Sequence, residues 1–293
     1  MHTFDPATLK KLSLAQPDSH KGQNGKLLLI GGSRLFHAAS LWPLTVASRI
    51  VDMVFYASVP ENNELVQKAK EEFRDGIVIP RNEIEHYITE ADCVLIGPGM
   101  VRSERNMNSD EKKISIQEIN ELDDEGEQTY QLTKYLLQKY PEKKWVIDGG
   151  ALQMMEKEWL QNMKQVILTP HLKEFERLFG LPPAEEHVQK MAKAYSVIIL
   201  RKGEEDITCS PTTCVRIAGG SAGMTKGGTG DVLAGLVAAL SCNNDLFLSA
   251  QAGSYINKKA GASLSSRVGA YFNASDLVNE IPSVLARETG QVS

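Results

Sequence analysis

The sequence predicts an α/β fold: a mostly parallel central sheet covered by helices on both faces. Two observations predict it. Short Leu-rich or β-branched runs recur as far as Leu200 with helical patterns between them, which is the alternation of βαβ units. Those runs are largely apolar at successive positions, as strands buried on both faces require.

The runs are Lys26–Ile30, Met53–Ala57, Gly76–Ile79, Cys93–Ile96, Lys144–Ile147, Gln165–Leu168 and Val197–Leu200. Two further runs, Asp206–Ser210 and Cys214–Ile217, flank the turn-like Pro211-Thr212-Thr213 and read as a β-hairpin. From Thr229 the chain reads as a helix, with Val232, Leu233, Leu236, Val237 and Leu240 at the helical period, and a second helix is expected over Leu246–Leu264. The stretch from Ser103 to Thr129 breaks the order: it holds nine acidic and three basic residues. With few apolar anchors, it is expected to be a solvated insertion in a βα connection rather than a lid. No repeat or linker divides the 293 residues, so one domain over residues 1–293 is expected.

Composition narrows the function classes. A hydrophobic share of 42% and a charged share of 24% suit a packed globular domain. A net charge of −5 offers no general attraction to nucleic acid or anionic lipid, so an anionic ligand must be captured locally. The N-terminal residues lack the apolar core of a signal peptide, and no apolar run approaches a membrane span, so a cytoplasmic protein without membrane or nucleic-acid partners is expected. Cys93, Cys209, Cys214 and Cys242 form no CxxC pair and are expected to be reduced thiols.

The feature richest in chemistry is Thr225-Lys-Gly-Gly-Thr-Gly-Asp-Val-Leu-Ala-Gly235, a glycine-dense turn that runs directly into a helix. Glycines leave backbone N–H groups uncovered, and a helix N-terminus adds unsatisfied donors and partial positive charge, so the turn can hold a phosphoryl group. Asp231, in the first helical turn, could serve only as a dipole partner; three glycines in the four preceding residues favour a base beside the phosphate. The motif lacks the Gly-Lys-Ser/Thr of a Walker A loop. The turn Leu29-Ile-Gly-Gly-Ser-Arg34 likewise lacks the dinucleotide fingerprint of dehydrogenases.

Six segments in order resemble the NAD(P)H-hydrate dehydratases, a family of ribokinase-like fold, over about residues 21–282. They are His20–Gly25 leading into Leu27–Ser33, Ile96-Gly-Pro-Gly-Met100, Val146-Ile-Asp-Gly-Gly-Ala-Leu152, Leu168-Thr-Pro-His-Leu-Lys-Glu174, Arg201-Lys-Gly203 and Gly227–Gly235. The resemblance implies an enzyme acting on NADHX or NADPHX, nicotinamide cofactors hydrated on the reduced ring. ADP or ATP phosphorylates the ring hydroxyl, and expulsion of phosphate regenerates NADH or NADPH.

It further implies that Asp231 is the base, that Gly227, Gly228 and Gly230 line the phosphate turn, and that Lys202, Gly203, Glu204, Glu205 and Asp206 lie in the segment contacting the nucleotide. Ala39, Gly99 and His171 take substrate-binding positions; the alternative for each is close packing, turn chemistry or a surface histidine at a helix start. Mg²⁺ is implied by phosphoryl transfer, with Glu174 in the region where related kinases place it through water and direct ligands unassigned. The chain departs from the family at Val101, where glycine is common, and at Asp148-Gly149-Gly150, where Asp-Ala-Asp is usual. The resemblance also implies a homo-oligomer and a separate epimerase, since only about twenty residues precede the matching region. Two other readings use the same glycine turn: a kinase of a vitamin-precursor alcohol, and a nucleotide-binding regulator without catalysis.

Overall fold

Among the described residues, nine of ten strands run in one direction, because most strands are followed by a helix that carries the chain back across the sheet. The computed structural model describes residues 2–16, 18–69, 76–103 and 114–292. Its elements are β1 (His2–Thr3), β2 (Lys26–Ile30), α1 (His37–Ala47), β3 (Met53–Ala57), α2 (Pro60–Ala69), β4 (Ile77–Val78), α3 (Ile84–Glu90) and β5 (Cys93–Ile96). There follow α4 (Ile116–Asn120), α5 (Glu125–Lys139), β6 (Lys144–Ile147), α6 (Gly149–Met154), β7 (Gln165–Leu168), α7 (Leu172–Phe179), α8 (Glu185–Tyr195) and β8 (Ile198–Arg201). The chain closes with β9 (Asp206–Cys209), β10 (Cys214–Ile217), α9 (Thr229–Asn243), α10 (Leu246–Val268) and α11 (Ala274–Glu288). The strand order is β1-β10-β9-β8-β7-β6-β5-β2-β3-β4, with β9 alone antiparallel to its neighbours.

Side-chain alternation along the strands divides the core into two layers. Leu28, Ile30, Val94, Ile96, Ile147 and Leu168 face a layer built from α3 to α8. Leu27, Leu29, Cys93, Leu95, Val146 and Ile167 face α1, α9 and the start of α10. Behind that second layer, the outer faces of α9, α10 and α11 close a third cluster around Leu236, Ile256 and Ile281. Both faces of β2 are therefore buried, which accounts for the unbroken Leu27-Leu28-Leu29 run. Among the described residues, no helix is long and apolar enough to cross a membrane.

The chain lays down β2, β3 and β4 outward in one direction, then returns to place β5 on the other side of β2. The crevice beyond the carboxyl ends of β2 and β5 is thus a topological switch point, where open α/β sheets bind ligands.

Four expectations need correction. Residues 104–113 of the acidic stretch lie outside the described residues, but 116–129 includes α4 and the start of α5. Ile116 and Ile119 are buried anchors there, while Ser115 and Asp124 cap the two helices; much of the acidity is cap and first-turn charge rather than solvation. The fourth strand shrinks to Ile77–Val78, and the second C-terminal helix runs on to Val268. Finally, Cys209 and Cys214 are not reduced thiols: the hairpin register sets them opposite each other, with Cα atoms 4.1 Å apart, and they form a disulfide. Cys93 and Cys242 are free and buried.

Candidate active site

The turn before α9 uses its glycines for two different purposes. Gly228 has φ +92°, and a Cβ there would stand 2.3 Å from the Trp42 ring, so both backbone and space demand glycine. A Cβ at Gly227 would meet nothing within 4 Å, and one at Gly230 only the Lys202 ammonium at 3.5 Å. These two keep the mouth of the helix open. Thr229 Oγ1 donates to the carbonyls of Met224 at 2.7 Å and Lys226 at 2.9 Å, tying the turn to the segment before it. Lys226 is held elsewhere, its ammonium donating to the carbonyls of Ala270 and Phe272. Lys202 is therefore the cation at the glycine turn.

Charged groups from β6, β7 and β8 converge on that mouth. Lys202 Nζ donates to Asp148 Oδ1 at 2.6 Å, and Thr169 Oγ1 donates to the same oxygen at 2.7 Å. Glu174, on α7, is buried; its Oε1 accepts from Gln153 Nε2 at 3.0 Å and its Oε2 from the His171 N–H at 2.8 Å. The Glu174 N–H returns a bond to His171 Nδ1 at 3.1 Å, so His171 is the N-cap of α7. Burial raises the Asp231 carboxyl to about 7, and the neighbouring Asp148 and Glu174 charges add to the rise while Lys202 opposes it. Burial also works against the Lys202 charge, but Asp148 and Glu174 outweigh it and hold the ammonium above its usual range. A carboxylate that shares its proton near neutrality beside a fixed ammonium can accept a hydroxyl proton while an anion forms.

A cavity of about 1020 Å³ extends from Gly230 between the β8–β9 turn and α10. Lys202, Gly203, Glu204, Asp206, His171 and Gly230 all line it. Glu205 does not: its side chain is exposed and stands 3.9 Å from Arg216. Asp206 is buried and organises the turn, accepting from the Gly203 N–H at 2.9 Å and from Ser254 Oγ at 2.7 Å. Lys258, which sequence reasoning missed, donates to the carbonyls of Gly203 at 3.1 Å and Glu204 at 2.9 Å. The available signal was an Asn257-Lys258 pair in the middle of a helix, sharing a face with the small residues Ser254 and Gly261.

Ala39 and Gly99 meet at the switch point. A Cβ on Gly99, whose φ is +71°, would stand 3.0 Å from the Ala39 Cβ and 2.6 Å from the Phe36 carbonyl oxygen. Close packing thus accounts for their small size, and the same packing forms the floor of the crevice. Gly150 has a similar cause: a Cβ would come within 2.1 Å of the Met100 carbonyl oxygen, so no larger residue fits there.

A family model described as NAD(P)H-hydrate dehydratase matches residues 27–283. The chain is 32% identical over 302 residues to the ADP-dependent (S)-NAD(P)H-hydrate dehydratase of Nitrosopumilus maritimus, covering 97% of this chain and 96% of that protein. It is 34% identical over 285 residues to the bifunctional NAD(P)H-hydrate repair enzyme Nnr of Methanocaldococcus jannaschii, covering 94% of this chain but only 51% of that protein. The chain thus spans about half the length of that bifunctional relative. The ADP/ATP-dependent NAD(P)H-hydrate dehydratase from Bacillus subtilis, co-crystallised with ATP and Mg²⁺, superposes with a TM-score of 0.77 at 20% identity, covering 98% of each chain. The fold is ribokinase-like.

Proposed function

The chain belongs to the NAD(P)H-hydrate dehydratase family, and from that premise we propose that it repairs hydrated NADH and NADPH at the expense of ADP or ATP. The observation that carries the reading is Asp231: a carboxyl raised to about 7 at the first turn of α9, with the Gly230 turn on one side and Lys202 on the other.

Each group takes a step suited to its place. The nucleotide occupies the large cavity, its base and ribose toward the Lys202–Asp206 turn and its terminal phosphoryl at Gly230, which lines the cavity, and at the adjoining Gly227-Gly228 turn. The hydrated ring lies against Ala39, Gly99 and His171, bringing its hydroxyl to Asp231. Asp231 takes the hydroxyl proton as the oxygen attacks the phosphoryl, and the α9 N–H groups with Lys202 balance the charge that develops. The ring nitrogen then expels phosphate to leave an iminium, and loss of a proton from the adjacent ring carbon to solvent restores the ring double bond of the reduced cofactor.

Mg²⁺ suits the site as a companion of the nucleotide. Among the described residues no cluster of three ligating side chains forms a metal cage, while Asp148 and Glu174 place two buried carboxylates beside Asp231. That donor set fits an ion held by phosphates and water, with Glu174 and Asp148 as its protein contacts, and the ion would offset phosphate charge. The enzyme acts in the cytoplasm, as a homo-oligomer, with a functional link to an epimerase activity that supplies the reactive epimer.

The test is recovery of reduced-nicotinamide absorbance from NADHX with Mg²⁺ and either ADP or ATP. Recovery should need nucleotide and fall at least about a thousandfold in Asp231→Asn. A stable phosphoester of an alcohol, with no return of NADH, would instead assign a small-molecule kinase.

A further inference from the structure

A second cavity, of about 440 Å³, opens at the carboxyl ends of β3 and β4, across the switch point from Asp231. A run of close contacts connects the two. Gly228 lies against Trp42; Ala39 sits three residues earlier on α1; Ala39 meets Gly99; and Gly99 meets Gly32. Gly32 in turn faces Ser58 and Asn62, and Ser58 lines the second cavity. A dinucleotide whose hydrated ring reaches Asp231 and whose middle crosses Ala39 and Gly99 is therefore directed toward this cavity.

The lining is specific in charge. Glu61, Glu64 and Glu125 supply three carboxylates against the guanidinium groups of Arg34 and Arg81. Both cations are already engaged. Arg34 Nε lies 2.9 Å from Glu61 and 3.4 Å from Glu125, while Arg81 is buried, donates to Gln128 Oε1 at 2.6 Å and has Glu125 as its balancing charge. Asn120 Oδ1 and Arg81 Nε lack hydrogen-bond partners but are buried within the wall, so the groups the cavity presents to a ligand are chiefly the carboxylates. Carboxylates accept hydrogen bonds from a ribose diol, whereas a ribose 2′-phosphate needs a free cation. Here a 2′-phosphate would meet a net negative lining.

We propose that this cavity seats the adenosine ribose of the hydrated dinucleotide, and that its carboxylates select NADHX over NADPHX. The proposal rests on the dehydratase reading and goes beyond it by naming the preferred substrate and the side chains that choose it.

The experiment compares kcat/KM for NADHX and NADPHX in the wild type, Glu64→Lys and Glu61→Gln. The wild type should favour NADHX by about tenfold. Glu64→Lys, on an exposed part of α2, should cut that ratio by about fivefold or more through a lower KM for NADPHX, and Glu61→Gln should shift it in the same direction. Turnover of NADHX by each variant reports that it is folded. Equal use of both hydrates by the wild type, or a preference that neither substitution moves, would overturn the proposal while leaving the dehydratase reading intact. Failure to turn over either hydrate would remove both.

Discussion

Asp231 shows how a single residue can hold stability and chemistry in opposition. Its carboxyl is raised because burial, Asp148 and Glu174 all disfavour the charge, so ionising it costs the folded state what it does not cost the unfolded chain. At pH below about 4 both states are protonated and the difference vanishes. Between there and about 7 the unfolded state ionises first, so this residue's contribution to stability falls as pH rises, and above about 7 the penalty is constant. Asp231→Asn should therefore melt higher than the wild type at pH 8, by on the order of 2 kcal/mol, and coincide with it at acid pH. The kcat/KM of the wild type should rise with pH through about 7, as the free base is formed. A thermal-melt series with a constant offset at every pH would contradict this account of the carboxyl.

At the scale of the element, the entry to α9 separates a glycine the fold requires from one it leaves open. Gly228→Ala must place a side chain at positive φ and into Trp42, and should lose about 1–3 kcal/mol of stability together with activity. Gly227→Ala meets no neighbour, so it should melt like the wild type and weaken nucleotide binding instead. Melting curves and an ADP titration on the two variants distinguish these outcomes; equal loss of stability in both would show that Gly227 also serves the fold. The helix itself was legible because Val232, Leu233, Leu236 and Leu240 recur at its period and are all buried. Trp42 was not, because its contact with Gly228 joins residues far apart in the chain.

For the whole molecule, the cavity proposed for the nucleotide joins β8, the β8–β9 turn, α9 and α10, so ligand should stiffen segments distant in sequence. ADP at a hundred times its Kd should add about 2.7 kcal/mol to unfolding stability by linkage. Lys202→Met should lose most of that gain, because its ammonium is the cation at the Gly230 turn, whereas Asp231→Asn should keep it. A Lys202→Met protein stabilised by ADP as strongly as the wild type would show that phosphate is held without that ammonium.

Local pattern alone determined much of this protein. Runs of buried apolar residues placed most of the strands, the glycine turn pointed to the anion site proposed here, and Asp231 stood out because its surrounding glycines exceed what a helix cap requires. His171 was reached through its place beyond β7, where the sheet presents ligand contacts, although its role as the cap of α7 is visible only in three dimensions. Tertiary structure alone decided which charges meet. It paired Lys202 with Asp148, pinned Lys226 away from the phosphate turn, turned Glu205 outward, and set Lys258 beneath the β8–β9 turn. It also joined Cys209 to Cys214 through hairpin register and found anchors for α4 in the acidic stretch. Periodicity depends on each residue's own neighbours in the chain, so it can be read from sequence; ion pairs and cavities depend on distances between strands that only the assembled sheet sets.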